Sequence, residues 1–475
     1  MRPAPPCRGR RHTILFVSKR TDRTEGPLST PDPEDVVATL VEQRIELVRL
    51  SYPDLIGVDR GRDILTHHLP AACAHGLSFC RAVYHTSPRG DVVDVAGGLD
   101  TGLPDICVRP DLDTLVPVPW EPGVAWCLGE PVDPATGLPC PESPRDLLRR
   151  VVADLAAEGL AAVVGPELEY FLLDRDETAP AGWRRYADVT GQVYTVGRKG
   201  DPAGHLPATL RALDALGIGA ISGNREFDGG QFEINLSHSA ALDAADRAWR
   251  FKTAIKEIAH AEGRLATFMA KPFNDTGGSG FHVHVSCVDT EGHNAFADPS
   301  GAHGLSDTAR HAIAGLLEHA PALAALLNPT VNSYKRFGPD TLAPWLIDWG
   351  LDNRSAMLRV PPERGVGTRL ELRLGDASAN PYLAVAGVVA AVLLGIRAKA
   401  APPAPLQGYG YDRARAAVLP MTLSGSLDAL AADTALTEVL GKGFVTAFVS
   451  YKRDELERFR RHVTDWEFGE YAYHL

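Results

Sequence analysis

The chain lacks the two glycine-rich motifs that most often hold nucleotides. Neither GxxxxGK[ST] nor GxGxxG occurs in its 475 residues. Both motifs bind phosphate through backbone amides at the start of a helix. Any nucleotide must therefore bind here by a different arrangement.

Cysteine is scarce, and the cysteines are far apart in sequence. The chain has seven of them and no CxxC pair. Zinc modules use closely spaced cysteines, and small disulfide scaffolds use many of them. This usage argues against both and favours free thiols in a reducing compartment.

Positive charge and long apolar runs are also missing. Lysine and arginine number 48 against 60 acidic residues, which gives a net charge of −12 and argues against a nucleic-acid binder. The longest apolar run, 382–396, is too short to span a bilayer and predicts a buried helix. The apolar run 14–17 is too short for the core of a signal peptide. We therefore expect a cytoplasmic protein without a membrane segment.

Composition divides the chain into three parts. Residues 1–32 are rich in proline, arginine, threonine and serine, which predicts a disordered tail. Residues 33–135 show short strands, including one at 91–95, and short helical stretches, which predicts a small α+β domain. A turn-rich segment at 133–139 marks the boundary. The remaining 136–475 is long enough for a second, larger domain.

Several regular elements are predicted in the second domain. Ser143 is a good helix cap, and Pro144 fits the first helical turn. Spacing of apolar residues then predicts the other elements. They are strands at 161–173 and 281–287 and helices at 242–261, 306–327, 380–398 and from 433 onwards.

Polar residues two apart recur within apolar runs of this domain. On a strand, residues two apart point to the same face. Taken singly, a Glu-x-Glu pair is usually a solvated face and a His-x-His pair is usually structural. Carboxylates on buried strands, however, are rare unless they are paired or bind metal. Together with Glu226 and Glu233, the pairs therefore predict a site for two divalent metals. The pairs are Glu167 with Glu169, His282 with His284, and Glu371 with Arg373.

Several segments, in this order, resemble the glutamine synthetase family. The resemblance runs from about residue 34 to the C-terminus and depends on the order of the motifs as much as on each motif. The motifs lie at 165–169, 226–233, 266–273, 278–286, 328–336, 353–355, 371–373 and 379–383.

The resemblance implies a metal site with two Mg²⁺ or Mn²⁺ ions. Five carboxylates and one imidazole suit such hard ions, which prefer oxygen ligands. One ion would lie near glutamate, held by Glu169, Glu226 and Glu233. The other would bridge the phosphates of ATP, held by Glu167, His282 and Glu371.

The resemblance also implies substrate-binding and catalytic residues. Arg336, Arg354 and Arg373 would be catalytic, because phosphoryl transfer depends on neutralising charge. Glutamate would be bound by Glu169, Gly278, Arg336 and Arg373. ATP would be bound by His284, Ser286, Arg354 and Arg359.

The sequence departs from the family pattern at the positions that serve ammonium. Cys80 stands where glutamine synthetases carry an aspartate, and Leu342, just before Ala343-Pro344, stands where they carry a glutamate. Gly277 replaces a usual asparagine and enlarges the floor of the glutamate loop. Loss of two anions weakens a site for a small cation, since an opposite charge nearby contributes roughly 1–4 kcal/mol.

These departures predict a glutamate–amine ligase that resembles the γ-glutamyl-polyamine and γ-glutamyl-monoamine synthetases. Polyamine catabolism and a small monoamine such as ethanolamine remain equal alternatives. Asp340 or Asp91 would suit a polyamine, whereas Cys80 and Leu342 form a less charged amine pocket. An ammonium-using glutamine synthetase and an inactive regulator are the competing hypotheses.

The resemblance finally implies an architecture and an assembly. We expect a small β-grasp-like N-terminal domain and a larger catalytic domain whose curved, mainly antiparallel sheet is flanked by helices. Twelve subunits would form two stacked hexameric rings with active sites between subunits, so that the loop at Cys80 reaches a neighbour's site.

Overall fold

The computed structural model describes residues 31–95, 99–189, 193–338, 341–412, 414 and 416–475. The predicted tail lies outside the described residues, apart from Pro31 and Asp32. So does Asp340, one of the candidate residues of the amine pocket.

The N-terminal part forms a five-stranded sheet with strand order β2-β1-β5-β4-β3. The neighbours β1 and β5 are parallel, and the other pairs are antiparallel. The elements are α1 Pro33–Glu42, β1 Leu47–Pro53, β2 Asp59–Leu65, α2 Leu69–His75, β3 Leu77–Cys80, β4 Asp105–Pro117 and β5 Val124–Val132.

The predicted strand at 91–95 is wrong. In this segment only an isolated bridge, between Thr86 and Val92, is formed. The alternation that suggested a strand arises because Val93 and Val95 are buried while Val92 is exposed. The segment buries alternate side chains in the core without pairing along a neighbouring strand. Strand β4, in contrast, was not predicted.

The C-terminal part is built around a second, larger sheet with the path β13-β14-β15-β12-β6-β9-β8. Strands β7, β10 and β11 also pair with β6, and all pairs are antiparallel except β13 with β14. The strands are β6 Ala161–Arg175, β7 Trp183–Arg185, β8 Ala220–Arg225, β9 Gln231–Leu236, β10 Ser239–Ala240, β11 Arg264–Thr267, β12 Phe281–Val288, β13 Trp349–Leu351, β14 Leu358–Val360 and β15 Leu370–Leu372.

Helices of this part pack against the sheet and against one another. Ser143 caps the first of them as predicted, because its hydroxyl accepts a hydrogen bond from the amide of Asp146 at 3.3 Å. The helices are α3 Pro144–Ala156, α4 His205–Ala215, α5 Ala241–Ala261, α6 Asp307–Glu318, α7 Ala320–Leu327, α8 Pro381–Ala398, α9 Leu423–Ala432, α10 Thr434–Leu440, α11 Lys442–Arg460 and α12 Asp465–Tyr471.

Two of the helical predictions bear on the core. The predicted helix 306–327 is divided at His319, which joins α6 to α7 just before Pro321. Helix α8 is, within the described ranges, a helix long and apolar enough to cross a membrane, but 78% of it is buried inside the protein. The apolar run at 382–396 therefore forms a buried core helix, as predicted.

The two sheets share a packing interface. Trp126 of β5 packs against Trp249 of α5, with ring centroids 5.8 Å apart. The indole of Trp249 also donates to the carbonyl oxygen of Gly57, which follows β1. One face of the N-terminal sheet thus joins the main hydrophobic core, while its other face has a smaller core of its own. The fold is α+β, as the sequence predicts.

Candidate functional site

Strand β6 lies in the middle of the larger sheet and carries the first pair of carboxylates. Leu168 and Tyr170 are fully buried, whereas Glu167 and Glu169 are only partly buried. Because side chains alternate along a strand, both glutamates project from the face opposite Leu168 and Tyr170. The sheet therefore places these two acids side by side on its open face.

The first group of ligands combines two carboxylates with a histidine, and we call Glu167, His282 and Glu371 the imidazole cluster. One potential ligand atom from each residue lies within 4.8 Å of the other two. The Nδ1 atom of His282 is 2.9 Å from Glu167 Oε1 and 4.0 Å from Glu371 Oε1. This spacing and this donor set fit one divalent cation that accepts oxygen and nitrogen ligands.

Arginines balance the charge of the imidazole cluster. Glu371 is 1% exposed, and its two oxygens accept hydrogen bonds from Arg359 at 2.6 Å and Arg373 at 2.5 Å. Burial by itself would raise the pKa of Glu371, but the charges of His284, Arg373 and His282 lower it to about 2. This carboxylate is therefore ionised at neutral pH.

The second group, Glu169, Glu226 and Glu233, we call the tricarboxylate cluster. Glu169 and Glu233 are directly opposite each other on the neighbouring strands β6 and β9, and Glu226 follows β8. The amide of Asn224 donates to Glu226 at 2.8 Å, and that of Asn235 donates to Glu233 at 3.2 Å. These neutral donors leave the negative charge of the cluster in place.

Mutual repulsion shifts the titration of the tricarboxylate cluster. Burial and then the charge of Glu169 raise the pKa of Glu226 to about 7. Burial and then the charges of Glu167, Glu169 and Glu226 raise the pKa of Glu233 to about 9. A divalent cation would relieve this repulsion, so the residues fit the metal that the sequence predicts.

The predicted glutamate loop meets the tricarboxylate cluster through its backbone. Glu169 Oε2 accepts from the amide of Gly280 at 2.8 Å and from the side chain of Gln231 at 2.9 Å, and Gln231 also donates to the carbonyl of Gly278. A Cβ atom on Gly280 would lie 3.1 Å from Glu169 and 3.0 Å from His282. Glycine is required here because the backbone passes so close to the acids.

Arg336 lies beneath this loop. Its guanidinium is buried, and Nη1 donates to the carbonyl oxygen of Gly375 at 3.0 Å. A Cβ on Gly278 would come within 2.8 Å of the Arg336 side chain. Burial lowers the pKa of Arg336, and the charge of Glu169 partly opposes that shift. A buried cation at the floor of a glycine loop is well placed to bind an anionic group.

The predicted ATP-binding residues do not form a single group. The Nε2 atom of His284 is 3.4 Å from Glu167, which places this histidine beside the imidazole cluster. Ser286 donates to the carbonyl oxygen of Thr368 at 2.9 Å. Arg359 is held by Asp352 as well as by Glu371, and Arg354 is exposed on a loop. The structure thus brings His284 and Arg359 to the cluster and leaves Arg354 at the rim.

Three residues of the site were not singled out from the sequence. Gln231 orients Glu169, and Arg369 donates to His284 Nδ1 at 3.3 Å. Tyr194, at the rim, interacts electrostatically with Glu226 and with Arg354. Gln231 could have been predicted from the sequence, because it is a polar residue two positions before the predicted ligand Glu233. The sequence around Tyr194 contains no comparable indication.

The candidate amine-pocket residues Cys80 and Leu342 are both exposed in this single chain. Cys80 is exposed at the end of β3, with its sulfur 3.8 Å from the carbonyl oxygen of Leu103. Leu342 is 43% exposed and has a φ of +56°. Within the described ranges, no hydrogen bond or ion pair joins Cys80 or Leu342 to the carboxylates.

Gly277 makes a contact that links the glutamate loop to the 226–231 turn. Its amide donates to Asp228 at 2.7 Å, and a Cβ at this position would lie 3.0 Å from the same carboxylate. A side chain would therefore crowd Asp228. The replacement of asparagine by glycine permits this close contact.

Comparison with known proteins decides the family. The profile described as "Glutamine synthetase, catalytic domain" matches residues 141–471. The chain belongs to the glutamine synthetase family. It is 35% identical to the glutamine synthetase of Methanocaldococcus jannaschii, over 92% of this chain and 97% of that one. It is also 35% identical to the glutamine synthetase of Thermus thermophilus, over 92% and 98% of the two chains.

Solved structures agree with this assignment. A GmaS/ADP complex superposes with a TM-score of 0.82 at 33% identity, and the match covers 94% of this chain and 100% of that one. GmaS without ligand superposes with a TM-score of 0.81. As a member of the family, the chain is an ATP-dependent ligase of a class that uses divalent metal ions and glutamate.

Proposed function

We propose that this protein joins the γ-carboxylate of L-glutamate to an organic amine, with ATP as the co-substrate. The observation that carries the proposal is a contrast within one chain. The sequence retains all six predicted metal ligands, while the two positions expected to hold anions for ammonium are Cys80 and Leu342. Activation of glutamate is thus retained while the acceptor site has lost its charge.

The first step would transfer the γ-phosphoryl group of ATP to a γ-carboxylate oxygen, releasing ADP. Arg336 would hold glutamate from below the glycine loop. Arg354, Arg359 and Arg373 would neutralise charge on the phosphoryl oxygens, which is the main requirement in this chemistry. His284 and Ser286 would contact the nucleotide.

The six ligands would hold two metal ions, and Mg²⁺ or Mn²⁺ suits their hard oxygen donors. When bound, these ions supply positive charge at glutamate and at the phosphates. The tricarboxylate cluster would serve the first position and the imidazole cluster the second. The raised pKa values of Glu226 and Glu233 support a cation between these acids.

In the second step, the amine nitrogen would attack the acyl carbon, and phosphate would leave with the P–O bond intact. The amine loses a proton on forming the amide, and the γ-glutamylamide is released. A small monoamine is favoured over a polyamine, because neither Cys80 nor Leu342 offers a charge to a second ammonium group.

Ammonium is the second candidate acceptor. The curated relatives at 32–35% identity carry the name glutamine synthetase, and GmaS matches at 33%. Identity therefore does not separate the two functions. The two functions are expected to differ at the acceptor positions, which are Cys80 and Leu342 in this chain.

The test is phosphate release from ATP with glutamate and Mg²⁺, with ammonium, ethanolamine, alkylamines, putrescine and spermidine compared as acceptors. Release with a monoamine and little with ammonium is expected. Release that is equal or faster with ammonium would overturn the proposal, and no release with any acceptor would favour an inactive relative.

Paired substitutions sharpen this test. Cys80→Asp combined with Leu342→Glu is expected to shift the preference towards ammonium, since both anions are then restored. Leu138→Glu is the matched control, because it adds a charge at another exposed leucine. An unchanged preference in the double variant would show that these positions do not select the acceptor.

The assembly belongs to the same proposal. Two stacked hexameric rings would carry Cys80 into a neighbour's active site, which accords with its exposure in the single chain. Analytical ultracentrifugation is expected to show a dodecamer. A fully active monomer would contradict this arrangement. We place the enzyme in the cytoplasm.

A further inference from the structure

A cavity of 530 Å³ lies on the side of the larger sheet that faces α5. Its wall includes Phe268, which packs against Phe251 of α5 and Tyr170 of β6. Tyr170 points away from its neighbour Glu169, so the cavity and the carboxylate clusters lie on opposite faces. The volume is typical of pockets for small molecules, which measure about 300–1,000 Å³.

The lining of this cavity is positively charged. It carries five cationic side chains, from Arg89, Lys252, Lys256, Lys452 and Arg458, against two carboxylates. The chain as a whole has a net charge of −12. A cationic pocket in an acidic protein is a local feature that the overall composition does not explain.

At one end of the cavity the charges are balanced within the protein. Lys452 donates to Glu455 at 2.8 Å, and Arg458 donates to Asp454 at 2.8 Å. The other carboxylate of the lining, Asp59, acts electrostatically on Lys256. Lys252 and Lys256, on the α5 wall, form no salt bridge with any residue that the structure describes.

Lys252 and Lys256 lie one helical turn apart on that wall. Their ammonium nitrogens are 5.5 and 5.9 Å from the centre of the Phe268 ring. The Nζ atom of Lys252 donates to the carbonyl oxygen of Ala379 at 2.8 Å, and an ammonium group carries three protons. Burial and then the charge of Lys256 lower the pKa of Lys252 to about 7. An anion between the two lysines would compensate both.

The rest of the lining is largely apolar. Leu55, Leu326 and Leu383 line it together with Phe268 and Phe448. An apolar wall with a few convergent charges is the usual composition of a site for a small organic ligand.

We propose that this cavity binds a small organic anion, with its charged group at Lys252 and Lys256 and its apolar body against Phe268 and the leucines. The site is separate from the amine-ligase chemistry and requires none of the six metal ligands. The chemical class is a carboxylate or sulfonate that carries an aromatic or aliphatic body.

The cavity is connected to the glutamate loop through the backbone. Phe268 and Met269 lead directly into Ala270, whose carbonyl accepts from the amide of Ser279 at 2.9 Å. On the other side, the amide of Ala377 donates to the carbonyl oxygen of Ser279 at 3.0 Å. Ser378, which follows Ala377, lines the cavity. An occupant touches both segments that hold Ser279, so it would bias the conformation of the loop.

The test uses two fluorescent probes that share one apolar body. 1-Anilinonaphthalene-8-sulfonate is anionic, and N-phenyl-1-naphthylamine lacks the sulfonate. Full-length protein is titrated with each. Tighter binding of the sulfonate, weakened about three- to tenfold in Lys256→Gln, is expected. The exposed Lys442→Gln is the matched control and should leave the affinity unchanged.

Equal affinity for the two probes, or no change in Lys256→Gln, would overturn the proposal. Lys256 is exposed as a residue, so its substitution leaves the fold intact, whereas Lys252→Gln serves as a second variant that should weaken the sulfonate further. The readout needs no turnover, so it is independent of whether the amine-ligase proposal holds.

Coupling to the loop is tested by repeating the sulfonate titration with saturating L-glutamate. Coupling free energies are reciprocal between sites, and a shift of about fivefold or more is expected. Identical affinity with and without glutamate would show that the cavity is not linked to the loop.

Discussion

The imidazole and tricarboxylate clusters lie on one face of one sheet but differ in how their charge is balanced. In the imidazole cluster, the pKa of Glu371 is lowered to about 2 by cationic neighbours. In the tricarboxylate cluster, the pKa of Glu233 is raised to about 9 by burial and by other acids. One half of the site is neutralised by cationic side chains, and the other half is neutralised by bound protons.

Because of this difference, an incoming metal ion would have to displace different groups in the two clusters. In the imidazole cluster, an incoming ion competes with Arg359 and Arg373 for the oxygens of Glu371. In the tricarboxylate cluster, it competes with protons and with neutral donors. These donors are the side-chain amides of Asn224, Asn235 and Gln231 and the backbone amide of Gly280. Metal affinity should therefore depend on pH at the second position far more than at the first.

The largest effect is expected from removing Glu371. Glu371→Ala leaves Arg359 and Arg373 without their buried carboxylate, and breaking such a pair typically destabilises a protein by about 3–5 kcal/mol. Urea unfolding should show this loss, and ATP turnover should disappear. The control is Glu363→Ala, which removes an exposed partner of Arg369 and should change stability by less than about 1 kcal/mol. ATP turnover that survives in Glu371→Ala would refute the metal assignment.

The opposite sign is expected for Glu233. Glu233 must take up a proton on folding at neutral pH, because its folded pKa is about 9. Glu233→Gln removes this requirement, so metal-free protein should gain on the order of 1–2 kcal/mol at neutral pH. Mn²⁺ binding should weaken in the same variant. Chemical denaturation measures the expected gain in stability, and Mn²⁺ titration measures the expected loss of metal affinity. Glu177→Gln, on an exposed loop, is the control. A destabilised Glu233→Gln would contradict the raised pKa of Glu233.

The placement of the acidic side chains on one face of the sheet could largely be predicted from the sequence. The spacing of two residues put Glu167 with Glu169, and the hydrophobic pattern located β6 and β12 to within two residues of their observed ends. The two clusters share strand β6. Glu167 is paired in register with His282 of β12, and Glu169 is paired in register with Glu233 of β9. Local alternation was sufficient to predict which side chains share a face.

The charge balance was not predictable, because it depends on contacts between distant segments. Register across β6 and β9 brings Glu169 opposite Glu233, and β14 brings Arg359 to Glu371. The predicted strand at 91–95 failed for a related reason, since burial of Val93 and Val95 by tertiary packing imitates a strand. The cavity beside Lys252 likewise requires α5, β11 and the 54–59 turn to meet.

The pH dependence of metal binding tests the contrast without a substitution. Raised pKa values mean that the folded tricarboxylate cluster holds protons that Mn²⁺ must displace. Affinity should increase with pH from about 7 to about 9, with protons released in isothermal titration calorimetry. Glu233→Gln should flatten the upper part of this profile. A profile that is flat in the unmodified protein would contradict the raised pKa values.

In the metal-free protein, the two clusters should make contributions to stability that change with pH in opposite directions. Glu226 and Glu233 hold protons more tightly when folded, so their contribution to stability falls as pH rises from about 4.5 towards 9. Glu371 is the reverse: its contribution is complete above about 4.5 and is lost as pH falls towards 2. The urea midpoint across pH measures both slopes, and excess Mn²⁺ should abolish the alkaline one.

The smallest effect is expected from the neutral donors. Asn224→Ala removes one hydrogen bond to Glu226, and such a bond contributes about 0.5–1.5 kcal/mol. The ionised form of Glu226 loses this support, so Mn²⁺ affinity should fall by only about threefold near neutral pH. The repulsion among the three acids is unchanged by the substitution, and the proton release on binding should persist. A loss of many orders of magnitude would instead mean that Asn224 is itself a ligand, and that the tricarboxylate cluster is held by more than its acids.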